Sequence, residues 1–272
     1  MFDHGSQGYG PTARYHEPDN FEGMAGDELI SRRASSFGSR AADYAEHRPD
    51  YPVDAVRWAL APVDEPKVLD LAAGTGKLTA VITSLGYEAV AVEPDDAMRA
   101  ELTARMPEVT ALAGTAEQIP LPDASVDAVL VGQAMHWFDH EHALPEIGRV
   151  LRPGGVLAGV WNDDDFSVEW VAGMDQIHTA VRPGTTTRGI SIAVEFGPFA
   201  ELERAEFRHS QRRTAESLVA TAKTHSLFLT MAEPERTETL NRMLAYLKSR
   251  PETADGEFDY PLRTIVLRTI RV

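Results

Sequence analysis

The sequence predicts an α/β domain built on a mostly parallel sheet with helices on both faces. Two observations carry that prediction. Between residues 67 and 162, short apolar runs rich in valine, leucine and alanine alternate with segments of helical period. Between the first run and the first helical segment lies "LDLAAGTGKLT", a turn of small residues and glycines of the kind that holds a nucleotide at a strand–helix junction.

The elements follow in order. Residues 1–28, rich in Gly, Pro, Asp and His, read as a mobile tail. Over 29–48, Leu29, Ile30, Phe37, Ala41, Tyr44 and Ala45 fall near helical spacing, and "RPDYP" then breaks the helix. "VDAVRWALA" is a second short helix. "KVLDLA" is a strand, "GKLTAVITSLG" a helix, "EAVAVEP" a strand, and "DDAMRAELTARM" a helix with aspartates at its start. "VTALAG" and "VDAVLVGQA" are strands, "EHALPEIGRVL" a helix and "GGVLAGVWN" a strand. After Asn162 the pattern changes. Residues 166–182 read as a helix, "LERAEFRHSQRR" as a strand, 214–249 as two helices, and "FDYPLRTIVLRTIRV" as the last strand.

Composition sets bounds. The chain has 272 residues, 43% of them hydrophobic, enough for a sizeable core. With no cysteine it has no disulfide, thiolate metal site or cysteine nucleophile. No apolar run approaches the roughly 20 residues of a membrane helix, and "MFDHGSQGYG" lacks the basic flank and apolar centre of a signal peptide. The expectation is a soluble cytoplasmic protein. A formal net charge of −16 repels polyanions, so nucleic acid and anionic membrane are poor partners. The basic stretch "SRRASSFGSR" reads as a solvated helix face.

Three kinds of loop can follow a first strand. A phosphate loop of the NTPase type needs Gly, four residues, then Gly-Lys and Ser or Thr. Its first glycine falls here on Leu71 and its hydroxyl on Leu78, so the pattern fails twice. A dinucleotide loop needs Gly-x-Gly-x-x-Gly. Gly74 and Gly76 fit, but Thr79 takes the last place. The third loop serves S-adenosylmethionine, which has no phosphate. Small residues at 72, 73, 74 and 76 let backbone approach its methionine part, and the helix start beyond favours its carboxylate. Asp70 at the strand end attracts its ammonium. Glu93, at the end of the next strand, is placed to accept both ribose hydroxyls.

"VLDLAAGTGKLT", "AVEPDDAMRAEL", "GTAEQIPLPDASVDAVLVGQAMHWFD" and "EIGRVLRPGGVLAGVWN" occur in that order. Together they resemble the successive motifs of class I S-adenosylmethionine-dependent methyltransferases, in the type-11-like branch that includes trans-aconitate methyltransferase relatives. "FGSRAADYAEHRPDYP" resembles that branch's entry segment. The resemblance covers about residues 37–162, with one departure, Ala72 in place of the loop's first glycine. It implies a Rossmann-like seven-stranded sheet with an antiparallel last strand and helical lid additions. Residues 29–272 would then be the methyltransferase domain: a helical lid at 29–62, a cofactor-binding core at 63–165, and a part at 166–272 that completes the sheet and carries a helical insertion at 214–249.

The resemblance also implies roles. Ala72, Gly74, Thr75 and Gly76 line the methionine part, with Asp70 acting electrostatically. Glu93 binds the ribose, and Met98 packs on the adenine. Thr115, Ala116 and Glu117 border the adenine edge. Gln133 and Ala134 end the fourth strand next to the transferred methyl. Tyr44 and Arg48 close over the methionine end, where an arginine can pair with a carboxylate.

"HWFDHEH" invites a metal reading through His136, His140 and His142, with Asp139 and Glu141. Trp137-Phe138 fits the methyltransferase branch without a metal, and none is expected. His136 is a candidate general base near the acceptor. A carboxylate acceptor needs no base, so this role depends on the acceptor. That acceptor is expected to be a small molecule. A polyacid would call on Arg32, Arg33, Arg40 and Arg48. An apolar metabolite would call on "SLFLTM", Phe166, Trp161 and Trp170, which core packing explains equally well. A non-catalytic S-adenosylmethionine-binding protein keeps the same motifs, and an NAD(P)-linked oxidoreductase is opposed by Thr79.

Overall fold

A computed structural model describes residues 49–179, 192–223, 228 and 231–272. The segments expected as a tail (1–28) and a helix (29–48, with Tyr44, Arg48 and arginines 32, 33 and 40) lie outside the described residues, as does most of "SLFLTM".

Seven strands form one sheet. They are β1 (Lys67–Leu71), β2 (Glu88–Val92), β3 (Thr110–Leu112), β4 (Val126–Gly132), β5 (Leu151–Asp164), β6 (Glu203–Arg213) and β7 (Phe258–Ile270). Their order is β3-β2-β1-β4-β5-β7-β6. Neighbours from β3 to β5 pair parallel, and β7 runs antiparallel to both β5 and β6. The expected antiparallel last strand is therefore present. It starts at the edge where the parallel strands end, which is where ligands sit in such sheets.

Period-two alternation sorts the strand side chains onto two cores. Val68, Ala128, Leu130, Val156, Ala158 and Val160 face helices α1 (Val53–Leu60) and α2 (Lys77–Ser84). Leu69, Leu71, Val129, Val131 and Leu157 face the other way, against α4 (His140–Val150). Helix α3 (Asp96–Arg105) follows β2. Its N-cap is Asp95, whose carboxylate accepts from the amides of Ala97 and Met98.

Beyond the strand ends, α5 (Glu169–Thr179), α6 (Ala215–Ala222) and α7 (Glu235–Lys248) make a third apolar cluster with Phe258, Tyr260 and Leu262 of β7. This roof continues the α1–α2 side of the sheet. Trp170 is buried within it, edge-on to Phe258 with ring centroids 5.6 Å apart. Trp161 is buried in the opposite core. Both tryptophans take the packing alternative.

One strand is longer than its apolar pattern suggests. The apolar run predicts a strand ending at Asn162, yet β5 continues to Asp164 because β7 supplies backbone partners up to Asp164–Leu262. Among the described residues no helix is long and apolar enough to cross a membrane.

Candidate functional site

The site forms where β1, β4 and β5 end and β7 begins. The turn after β1 is held in a shape L-residues rarely adopt: Ala72 has φ +58°, Gly74 +57° and Gly76 +85°. Gly76 could carry no side chain without displacing α3, since a Cβ there would lie 2.9 Å from Leu102 Cγ. Ala72 stays left-handed despite its methyl, a strain of about 1 kcal/mol. Gln133, directly after β4, is likewise left-handed at φ +58°.

Two carboxylates organise this turn. Asp70 is 1% exposed. Its Oδ2 accepts from the Thr79 hydroxyl at 2.5 Å, while Oδ1 is buried with no hydrogen-bond partner. Burial pushes its carboxyl up to about 7, against the opposing effect of the Thr79 bonds and with a further push from Glu93. Glu93 is also buried. Its Oε2 accepts from the Gly74 amide at 2.8 Å and its Oε1 from the Asp95 amide at 2.9 Å. Burial raises its pKa, and these two amides hold the rise back. Met98 is buried beneath the turn, its sulfur 3.7 Å from where a Gly74 Cβ would stand.

A cavity of about 130 Å³ opens beside the turn. One ordered water needs roughly a tenth of that, so the space is of ligand size. Asp70, Ala72, Gly74 and Thr75 line it at one end, with Gln133 and Asn162 in the middle. Met174, Leu218, Met243, Tyr260 and Leu262 line it at the roof end. The buried Thr75 hydroxyl, like Asp70 Oδ1, has no hydrogen-bond partner. Two unpaired buried polar atoms in one concave wall suit a ligand bearing an ammonium and other polar groups, as the methionine end of S-adenosylmethionine does.

The other predicted residues fall around this cavity rather than on its wall. Thr115 and Glu117 are exposed on the loop after β3, and Glu117 Oε1 accepts from the Asp139 amide at 3.1 Å. Ala116 is buried in the α4-side core. Gly76 caps α2, and Ala134 follows Gln133 at the start of a short 3-10 turn. His136 is exposed against Trp137, ring centroids 4.7 Å apart, and does not line the cavity. The other two histidines of "HWFDHEH" point elsewhere. His140 Nε2 meets the Met135 carbonyl at 3.0 Å, and His142 Nδ1 pairs with Asp139, the N-cap of α4, at 2.8 Å.

Several participants carry no motif. Thr79, a mismatch for a dinucleotide loop, is the group that holds Asp70. Lys77 lines the cavity with its ammonium on Asp50 at 2.6 Å. Asn162 accepts at its carbonyl from Gln133 Nε2 at 2.7 Å, and its own amide reaches the Asp50 carbonyl at 3.2 Å. Tyr51 lies against Gly132, whose added Cβ would stand 2.6 Å from the tyrosine oxygen. A polar run directly after an apolar strand, "WNDDD", was the available signal for Asn162 and Asp164.

Comparison with known proteins agrees with this geometry. A methyltransferase-domain family model matches residues 69–159. An uncharacterized methyltransferase of Mycobacterium tuberculosis is 41% identical over 234 residues, covering 86% of this chain and 94% of the relative. One of Schizosaccharomyces pombe is 33% identical over 245 residues, covering 87% of this chain and 97% of the relative. A solved structure described as a type II methyltransferase, from Anaeromyxobacter dehalogenans, superposes with a TM-score of 0.62 at 27% identity, covering 82% of this chain and 96% of that one. The fold, the turn after β1 and relatives matched over nearly their whole length lead to one assignment: this chain belongs to the class I S-adenosylmethionine-dependent methyltransferase family.

Proposed function

We propose that the protein transfers the methyl group of S-adenosylmethionine to a small-molecule acceptor held between the turn after β1 and the helical roof. The observation that carries this reading is the continuous cavity from Asp70 and Gly74 to Met174, Met243 and Leu262. When bound, the cofactor supplies an electrophilic methyl on a sulfonium.

The chain's own residues then have separate tasks. Asp70 offers its unpaired Oδ1 to the ligand's ammonium, with Thr79 fixing the carboxylate's orientation. Glu93 offers the ribose hydroxyls the lone pairs its two amide bonds leave over. Met98, Thr115, Ala116 and Glu117 border the adenine, and Gln133 and Ala134 stand at the reacting end. The apolar roof excludes water and presents the acceptor in line, which supplies most of what a reactive methyl donor needs. This reading gives His136 no proton step.

Calorimetric titration with S-adenosylmethionine, S-adenosylhomocysteine and NAD, on the wild type and Glu93→Ala, tests the cofactor half. Both adenosyl ligands should bind the wild type, and NAD should not. Labelled-methyl transfer into cell extract, fractionated by size, tests the acceptor half. Label in small molecules supports it, and label confined to macromolecules overturns it.

A further inference from the structure

The roof end of the cavity carries a charge that holding the cofactor does not use. Along β5, alternation puts Asp163 and Asp164 on opposite faces of the sheet. Asp163 pairs with Arg263 of β7 at 2.9 Å, so its charge is answered. Asp164 stands opposite Leu262 on the roof side, and both aspartates border the cavity, Asp163 with its charge already paired. The side-chain partner of Asp164 is the buried Tyr260 hydroxyl, which donates to it. A hydroxyl orients a carboxylate without neutralising it.

Among the described groups acting on the Asp164 carboxyl there is no lysine or arginine. Burial pushes the Asp164 carboxyl up to about 6 against the opposing effect of the Tyr260 bond, and the like charges of Asp163 and of Asp175 on α5 add to the rise. From β6, Arg213 faces Tyr260 and Asp50 and donates to Gln211 at 2.9 Å. Gln211 is neutral, whereas two other described cations near this end are paired with carboxylates: Lys77 with Asp50 at 2.6 Å and Arg208 with Asp165 at 3.6 Å. α6 and α7 contribute only neutral side chains to the cavity, Leu218 and Met243 among them. A carboxylate acceptor placed here would meet like charge, whereas an ammonium would relieve it.

On the reading that this cavity takes the methyl acceptor, we propose that the acceptor is a small amine with an apolar body, bound through its nitrogen by Asp164 in the orientation Tyr260 sets. The amine reaches the wall as an ammonium and gives a proton to solvent before reacting. The freed nitrogen lone pair forms the N–C bond as the S–C bond breaks, and that bond's electron pair stays on sulfur. The new ammonium passes its proton to the Asp164 carboxylate, which returns it to solvent as product leaves.

Three probes sharing a benzyl body separate the possibilities: benzylamine, benzyl alcohol and phenylacetate, titrated into protein saturated with S-adenosylhomocysteine. Benzylamine should bind at least roughly tenfold more tightly than phenylacetate, the scale of one charged hydrogen bond. Asp164→Asn should remove most of that preference and Tyr260→Phe part of it, with S-adenosylhomocysteine affinity unchanged in both. Equal or tighter binding of phenylacetate or benzyl alcohol to the wild type overturns the proposal. So does absence of amine binding, or full preference retained in Asp164→Asn. If S-adenosylhomocysteine itself does not bind, the cofactor reading fails first, and that outcome is distinct from an amine failure on protein that binds it.

Discussion

The two ends of the cavity are built differently. The cofactor end is local. Asp70 and Thr79 are nine residues apart and Gly74 and Glu93 nineteen, within one strand–turn–helix–strand unit. The roof end is assembled across the chain. Asp163 meets Arg263 one hundred residues away, and Asn162 meets Thr264 at a separation of 102. The family model spans 69–159 and stops just before that roof end. A ligand common to a family can be held by a short contiguous segment, while the partner that differs among members is met by side chains only the tertiary fold brings together.

If the two ends are separable, damage to one should leave the other intact. Trp170→Ala makes the largest demand on this idea. Removing a buried ring from the roof should cost about 3–5 kcal/mol in denaturant unfolding, yet the folded variant should bind S-adenosylhomocysteine within about twofold of wild type. A parallel loss of cofactor affinity would show that the ends form one unit.

Asp70 sharpens the comparison through pH. Burial holds its carboxyl at about 7 in the folded protein, against an ordinary value of 3.8. For an acid raised by burial, the native state binds the extra proton. Stability from this group is therefore complete below about pH 4 and is lost as pH rises through 7. Ligand-free Asp70→Asn should match wild type near pH 4 and exceed it by on the order of a few kcal/mol at pH 8. A stability difference independent of pH would contradict this.

Glu93→Ala should weaken S-adenosylhomocysteine binding by about 1.5–3 kcal/mol, tenfold or more, while amine binding at the roof changes little. Ala72→Gly gives the smallest effect. Relief of the left-handed alanine should add at most about 1 kcal/mol of stability, read as a rise in melting temperature of a few degrees. No gain would mean that the methyl makes contacts worth its strain.

Much of the fold was readable from sequence. Each strand and helix between Val53 and Ile270 stands within a few residues of its apolar pattern, because a buried parallel sheet writes continuous valine–leucine runs. The turn at 72–76 was readable for the same local reason. The roof end was not. Asp164 lies beyond the apolar run that marks its strand, and the antiparallel register of β7 carries it into a cavity beside Tyr260. Thr79 read as a defect in one motif, since its bond to Asp70 appears only when α2 packs back on β1. Trp161 and Trp170 were as consistent with a ligand wall as with core, and packing decided between them.

The Glu93 carboxylate clasps the Gly74 amide with one oxygen and the Asp95 amide with the other. That clasp joins the turn after β1 to the start of α3 with no ligand needed to close it. For this turn, arrival of S-adenosylmethionine is therefore docking onto a segment already in place, with little ordering entropy left there to lose. At this turn the encounter does not have to wait for a loop to fold. Without Glu93 the ligand would both leave sooner and arrive more slowly.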